Sequence, residues 1–425
     1  MNRMFVAACL VALATIASAQ EKAGGHGQPP GARVEELLAL ARERSPEFAA
    51  SRLEAEAASE RIYPAGALTD PMLRTELRDI TNRGSDAAPS LLPNRVGSTR
   101  YLVSQAVPFF GKRDLKRDVA AAEAEQAKGA AADTWLDLAT RIKGAYAQYW
   151  QASRSETLTR ELLDLTEHLG MVAQVRYANG QAAQQDVVRA QVERSSLQSE
   201  LIGVETERHH MMTQLNTLLA RPGNAPLAEP RQLRPVPSPA TLEWDGLTAR
   251  LQARNPQLAI AAAGVTAADK GRELTYKNRY PDFNLGVSPI QNRNQINEWE
   301  VMVELNIPLQ QESRRSQERE SERKLEAARA RQDAVANRLM GDLSSAVSAL
   351  EAARRIERLT SEALLPQAQV TFQSALAGYE TGKVDFATLL DAQRQIRKSK
   401  LDIIKAQAEQ QLRLADIERL VGEEE

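Results

Sequence analysis

The feature that most constrains this chain is that it is written twice. Arg176-Tyr177-Ala178-Asn179-Gly180-Gln181 recurs as Gly378-Tyr379-Glu380-Thr381-Gly382-Lys383, and Val187-Val188…Ala190-Gln191 is answered by Leu389-Leu390…Ala392-Gln393. Upstream, Arg44-Ser45-Pro46 matches Arg254-Asn255-Pro256, and Pro71-Met72-Leu73 matches Pro281-Asp282-Phe283. Gln105-Ala106-Val107-Pro108 pairs with Leu305-Asn306-Ile307-Pro308. Five landmarks recur in one order at a near-constant interval. A duplicated unit of this kind builds a quasi-symmetric tube or bundle rather than a single cleft.

Each copy has the same internal plan. In the first, residues 34–221, a helix from Val34 to Ile62 is followed by alternating segments at 72–80 and 98–107, then a long helical hairpin over 112–220. No proline interrupts Lys112 to Ala178, a run that as one helix spans roughly 100 Å, and Asn179-Gly180 supplies the left-handed residue of a tight turn. A Pro-rich connector, 222–243, separates the copies. The second copy, 244–425, predicts a helix over Leu247–Tyr276, strands at 282–290 and 298–307, and a hairpin over 311–422 that turns at Gly382 and is interrupted near Pro366. The fold class predicted is mainly α with a small β part.

Residues 1–19 read as a secretory signal: Arg3, a short apolar run from Phe5 to Ile16, and a small-residue site at Ala17-Ser18-Ala19. A Gly- and Pro-rich leader, 20–33, follows. The only cysteine, Cys9, falls inside the signal and too early for an acylation site, so the exported chain is expected to carry neither thiol nor lipid. Net charge is −2 and only 4% of residues are aromatic, which argues against a nucleic-acid partner. We find no catalytic constellation, no phosphate-cradling glycine loop and no cofactor motif. His209-His210-Met211-Met212 carries soft-metal donors, but adjacent helical residues diverge by about 100° and do not close on one ion. An exposed His pair beside a buried Met is the expected arrangement.

The four short segments carry the functional signal. Leu73, Thr75 and Leu77 alternate with Arg74, Glu76 and Arg78; Tyr101 and Val103 oppose Arg100 and Ser104. Phe283, Leu285 and Val287 alternate with Asn284, Gly286 and Ser288, and Trp299, Val301 and Val303 with Glu300 and Met302. These lengths suit a tilted strand crossing a bilayer, and Leu73, Leu77, Tyr101, Val103, Phe283, Leu285, Val287, Trp299, Val301 and Val303 are the expected lipid-facing set. Four strands are too few to close a membrane barrel, and lipid tolerates no open sheet edge, so several chains must share one barrel.

With these residues in view the chain resembles the TolC-like outer-membrane efflux family over nearly its whole exported length. The resemblance rests on both hairpin tips, on Leu389-Leu390-Asp391-Ala392-Gln393, on Asp70-Pro71, and on Ser104-Gln105…Pro108-Phe109…Gly111-Lys112-Arg113. It implies a homotrimer in the outer membrane of a Gram-negative bacterium. Four strands per chain would make a shared twelve-stranded barrel, and the long helices an α-barrel tunnel through the periplasm. It implies a passive exit duct that works with a periplasmic adaptor (membrane fusion) protein and an inner-membrane RND-type or similar pump. The segments Tyr63 to Leu73 and Pro108-Phe109-Phe110-Gly111-Lys112-Arg113 look most like the heavy-metal branch. The resemblance further implies a periplasmic gate at Asp391, with Asp186 as second candidate, where symmetry-related carboxylates would favour cations. It implies adaptor docking at the tips, around Gly180, Gly382, Val384 and Phe386, as exposed contacts; Asp385 reads as a helix N-cap. The same duct serving drug efflux or type I protein secretion is the near alternative. A soluble periplasmic coiled-coil scaffold or adaptor is the alternative of another class, against which the duplicated apolar-faced strands argue.

Overall fold

The computed structural model describes residues 29–81 and 89–423. The expected signal 1–19 with Cys9, most of the leader, and the loop around Gly84 lie outside the described residues.

The opening helix is not continuous. It forms as α1 (Val34–Arg44), α2 (Pro46–Glu60) and a short α3 (Ile62–Gly66). Pro46 has no N–H to give and its ring excludes a preceding helical turn. Ser45 therefore sits extended, and its Oγ caps the new helix at the Phe48 N–H, 3.4 Å away. The second copy breaks in the same place: α6 (Trp244–Arg254) stops at Asn255, whose side chain accepts from Gln257 and Leu258 N–H before α7 (Pro256–Lys277) begins. The recurring Ser-Pro and Asn-Pro landmarks are thus capped breaks, and both expected unbroken helices are corrected.

Between these helical parts lie β1 (Met72–Arg78) and β2 (Ser98–Val107), and later β3 (Phe283–Asn292) and β4 (Gln295–Leu305). β1 ends two residues short of expectation, while the β3–β4 hairpin is tighter, turning at Arg293, which takes φ 60°. The four strands form one antiparallel sheet in the order β1-β2-β3-β4.

Long helices complete each copy. α4 (Lys112–Ala178) is an unbroken 67 residues, followed by α5 (Gln184–Leu218). α8 (Gln311–Leu359) widens into one π turn at Thr360–Leu364 before α9 (Leu365–Glu380) and α10 (Phe386–Val421). Pro366 is the cause: it can neither donate to the preceding turn nor fit its ring there, and the wide turn absorbs the mismatch. No helix among the described residues is long and apolar enough to cross a membrane.

The packing is elongated rather than centred. α4 lies against α2 and α7 toward the sheet and against α5 and α10 toward the hairpin tips; α8 lies against α7 and α10. Four apolar clusters are strung along these helices instead of one core. One joins α1, α4 and α5 around Leu37, Ile142 and Leu215, a second joins the tips around Phe386, and a third joins α6, α8 and α10 around Leu251, Leu343 and Val421. The fourth sits around Leu158, Leu162 and Leu197. The connector is tied across the middle by polar contacts. Tyr146 donates to the Ala32 carbonyl at 2.9 Å and to Gln232 at 3.3 Å, and Glu418 accepts from Lys143 at 2.7 Å and from Arg234 at 2.8 Å. Burial pulls the Lys143 ammonium below its ordinary pKa, partly offset by Glu418.

Candidate functional site: the sheet face and the hairpin tips

Strand alternation and register bring the expected apolar residues onto a single face. Leu73 stands opposite Val103, Val103 opposite Val287, and Val287 opposite Val301, a continuous row across all four strands. A second row runs Gln105, Leu285, Val303, and Thr75 pairs with Tyr101. Trp299 lies opposite Pro289, and Phe283 opposite Leu305. This face is open: Val301 is 78% exposed, Leu73 and Trp299 69%, Val303 63%. Leu77, Tyr101 and Phe283 are half-buried.

The opposite face is polar. Arg100 is its hub, with its guanidinium 3.0 Å from Glu300, 3.8 Å from Glu76 and 3.0 Å from Ser288 Oγ. Below the sheet Lys112, 4% exposed, donates to Asp282 and to the Tyr280 carbonyl, both at 2.8 Å. The rings of Phe109 and Tyr280 stack there at 4.6 Å. Both outer strands, β1 and β4, keep an unpaired edge.

At the other end the two tips are built alike. Gly180 and Gly382 take φ 68° and 72°, a conformation that costs a side chain about 1 kcal/mol or more. The Gln181 N–H reaches back to the Arg176 carbonyl, and the Lys383 N–H to Gly378, each at 2.8 Å, closing the last helical turn. Asp385 caps α10 by accepting from the Thr388 hydroxyl and from the Thr388 N–H at 2.9 Å, and that bonding, the hydroxyl first, holds its carboxyl below the usual range.

The tips differ in what they bury. Tyr379 is 3% exposed, stacked obliquely on Phe386, with the Arg176 guanidinium 5.0 Å from its ring centre. Its repeat partner Tyr177 is 46% exposed. Arg176 also donates to the Glu380 carbonyl at 2.6 Å, so one tip clasps the other. The Tyr379 hydroxyl faces Asp186 at 3.5 Å, and burial, then that carboxylate, raises its pKa.

Two of the expected site residues are not exposed in the protomer. Phe386 is fully buried in the tip cluster and offers no exposed docking surface. Asp186 is 8% exposed, enclosed beside Tyr379 rather than open to a passage. Val384 is half-buried against Gly378, where an added Cβ would meet Val384 Cγ2 at 2.5 Å. Gly180 and Gly382 are exposed. The Asp391 side chain is 73% exposed, and its carboxylate lies 3.2 Å from Arg394. His209 and His210 are exposed on α5 while Met211 is buried in the mid-helix cluster. Among the described residues no group of three or more His, Cys, Asp or Glu could hold a metal.

Sequence reading missed the charged joint between the two hairpins. Glu193 on α5, 5% exposed, accepts from Arg394 Nε at 3.1 Å, with Arg397 at 4.0 Å; Arg397 also pairs with Glu200 at 2.9 Å. The hydrogen bond to Glu193 raises the Arg394 pKa. Gln393 donates to Thr166 at 2.8 Å beneath it. A signal was available: Glu193 and Arg394 lie nearly equally far beyond their tip glycines, hence at one height. Their pairing needed the tertiary neighbour.

Comparison with known proteins supplies the wider context. The family model described as "Outer membrane efflux protein" matches residues 37–221 and again 247–423. The chain is 23% identical to the pyoverdine export outer membrane protein OpmQ of Pseudomonas aeruginosa, over 81% of this chain and 73% of that one. It is 22% identical to the cobalt-zinc-cadmium resistance protein CzcC of Cupriavidus metallidurans, over 92% of this chain and 90% of that one. It superposes on a structure of CusC, reported for its folding and transmembrane channel formation, with a TM-score of 0.80 at 15% identity and 96% coverage of both chains.

Proposed function

Because the chain belongs to the outer membrane efflux protein family, we propose that it is the passive exit duct of a tripartite efflux system, with heavy-metal cations as its cargo. One observation carries the duct reading. The sheet has one mainly apolar open face and two unpaired edges, and so is unfinished unless copies of the chain pair edge to edge within lipid. A homotrimer completes it: four strands per chain reach the number a membrane barrel needs. The hairpins, of roughly 100 Å, are long enough to form a tunnel toward an adaptor and an RND-type pump. The outer membrane is the compartment in which this family works.

Two relatives bear on the cargo. CzcC is a cobalt-zinc-cadmium resistance protein, and this chain covers most of its length. OpmQ exports pyoverdine, so a small organic cargo is the second reading. The exposed Asp391 supports cations, since three such carboxylates around an axis attract them; Arg394 beside each moderates the field. The tips around Gly180, Gly382 and Val384 are our candidate adaptor contacts.

Growth of a deletion strain across cobalt, zinc, cadmium, copper and silver, beside a panel of dyes, siderophores and antibiotics, tests this. Sensitivity to one or two metals, restored by the intact gene and not by a Gly382→Pro variant that still assembles, is expected. Sensitivity confined to organic compounds would overturn the metal assignment and leave the duct.

A further inference from the structure

A cavity of about 570 Å³ lies at the foot of the sheet, where β4 passes into α8. Lys112 and Asp282 line it from the start of α4 and the entry to β3, and Ser313, Arg314 and Gln317 from the first turns of α8. Its charges are unequal. The buried ammonium of Lys112 is answered by Asp282 at 2.8 Å. Arg314 has no such answer: among the described residues its guanidinium makes no ion pair, and its enclosed Nη1 has no hydrogen-bond partner. The acids beside it on α8 are engaged elsewhere, Glu312 with Arg315 at 3.2 Å and Glu318 with Arg279 at 2.8 Å. A half-buried cation without an anion is costly, and an anion in the cavity would remove that cost. The depth of the cavity says where such an anion comes from. Trp299, Val301, Val303 and Leu305 form the open apolar row of β4, and the two-residue step continues past the strand through Ile307 and Leu309, 66% and 80% exposed at the rim of the cavity. Trp299 to Ile307 is roughly 26 Å of extended chain, or about 20 Å of depth at a barrel strand's tilt, so an apolar band of about 25 Å ends at this cavity.

Resting on the membrane-duct reading, we propose that this cavity seats the phosphodiester headgroup of an anionic lipid of the periplasmic leaflet, of the phosphatidylglycerol type. Arg314 pairs with the phosphate, and Ile307 and Leu309 meet the acyl chains. The planar guanidinium fork matches two phosphate oxygens at once. α8 begins at the cavity with no side-chain cap on Gln310, so its first-turn N–H groups and the positive end of its dipole favour the same charge. The Ser313 hydroxyl and the Gln317 amide are suited to the hydroxyls of a glycerol headgroup. Phosphatidylcholine offers no hydroxyl and cancels its own charge with its trimethylammonium. The apolar rim favours a lipid over free phosphate, because a soluble anion gains nothing from Leu309. Seated there, the lipid ties the sheet-to-helix junction to the level of the headgroups.

The test uses the full chain, purified from membranes, delipidated in detergent and examined by native mass spectrometry with equimolar phosphatidylglycerol and phosphatidylcholine. Phosphatidylglycerol should be retained in preference. Arg314→Gln should lower that retention about tenfold, as loss of a charged hydrogen bond does. Arg315→Gln removes the same charge one residue on, outside the cavity, and should leave retention unchanged. Leu309→Ser, at a position that packing does not need, should also weaken retention, and it decides the matter if Arg314→Gln fails to assemble. Undiminished retention in these two variants would overturn the headgroup site. So would equal retention of both lipids by the unmutated chain, equal loss in Arg315→Gln, or displacement of the lipid by inorganic phosphate at a comparable concentration; each leaves the duct reading standing. Recovery of the unmutated chain in the soluble fraction without detergent would overturn both.

Discussion

Arg394→Ala should loosen the contact between the two hairpins. Glu193 is enclosed, with its side chain 6% exposed, and takes its shortest bonds from Arg394. Removing one partner of a fully buried pair costs about 3–5 kcal/mol, because the surviving charge stays desolvated. Here the cost is smaller. Arg394 is itself half exposed, and Arg397 remains within 4.0 Å of the carboxylate. We expect about 1–2 kcal/mol per protomer. Each 1.4 kcal/mol is about tenfold in an equilibrium, so separation of the hairpins should become roughly tenfold more favourable. Glu193→Gln breaks the same contact but leaves only a half-solvated guanidinium, so it should open the tip similarly while costing less than about 1 kcal/mol in stability. Single-channel recording in planar bilayers reads the opening, and thermal melting of the purified protein reads the stability. A wild-type conductance and melting point in both variants, or additive effects when they are combined, would refute the reasoning, since contacting residues must couple.

Other expectations follow from single observations. Val287→Arg places a charge in the middle of the apolar sheet face and should cost about 2–4 kcal/mol, read as loss of assembled protein from outer-membrane fractions; Ser288→Ala, on the other face, should assemble normally. Gly382→Ala meets no atom nearer than Arg176 at 3.8 Å, so its cost is conformational alone, about 1 kcal/mol in a melt. Gly378→Ala should cost more, because its Cβ would drive into Val384. Burial pushes the Tyr146 hydroxyl from 10.0 to about 12. Its folded pKa is raised, so its contribution is whole below pH 10 and is lost as pH rises toward 12. Tyr146→Phe should therefore cost about 1 kcal/mol at neutral pH and flatten the alkaline limb of a stability profile. Asp391→Ala should reduce cation selectivity in mixed-salt reversal potentials; unchanged selectivity would remove it as a gate.

Much of this molecule was legible before any coordinates. Periodicity alone located α4, because a proline-free run rich in alanine, leucine and charged residues has no competing local structure. Period-two alternation fixed which strand residues share a face, because in a strand that property is strictly local. The Ser45-Pro46 and Asn255-Pro256 landmarks are visible as repeats, and proline after a capping residue marks a capped break on its own.

The tip residues mark where sequence stops. Tyr177 and Tyr379 occupy equivalent places in equivalent motifs, and only tertiary packing buries one and leaves the other exposed. Phe386 looked like a surface contact until the facing hairpin covered it, and Asp186 like an open carboxylate until Tyr379 closed over it. The sequence by itself determined the duplication, the helix lengths, the glycine turns and the two-faced strands, because each follows from backbone geometry and side-chain alternation within a few residues. The tertiary structure alone decided which copy of each motif is inside and which charges meet between the hairpins. Those depend on helices nearly two hundred residues apart in the chain meeting at one height, and no local pattern encodes that meeting.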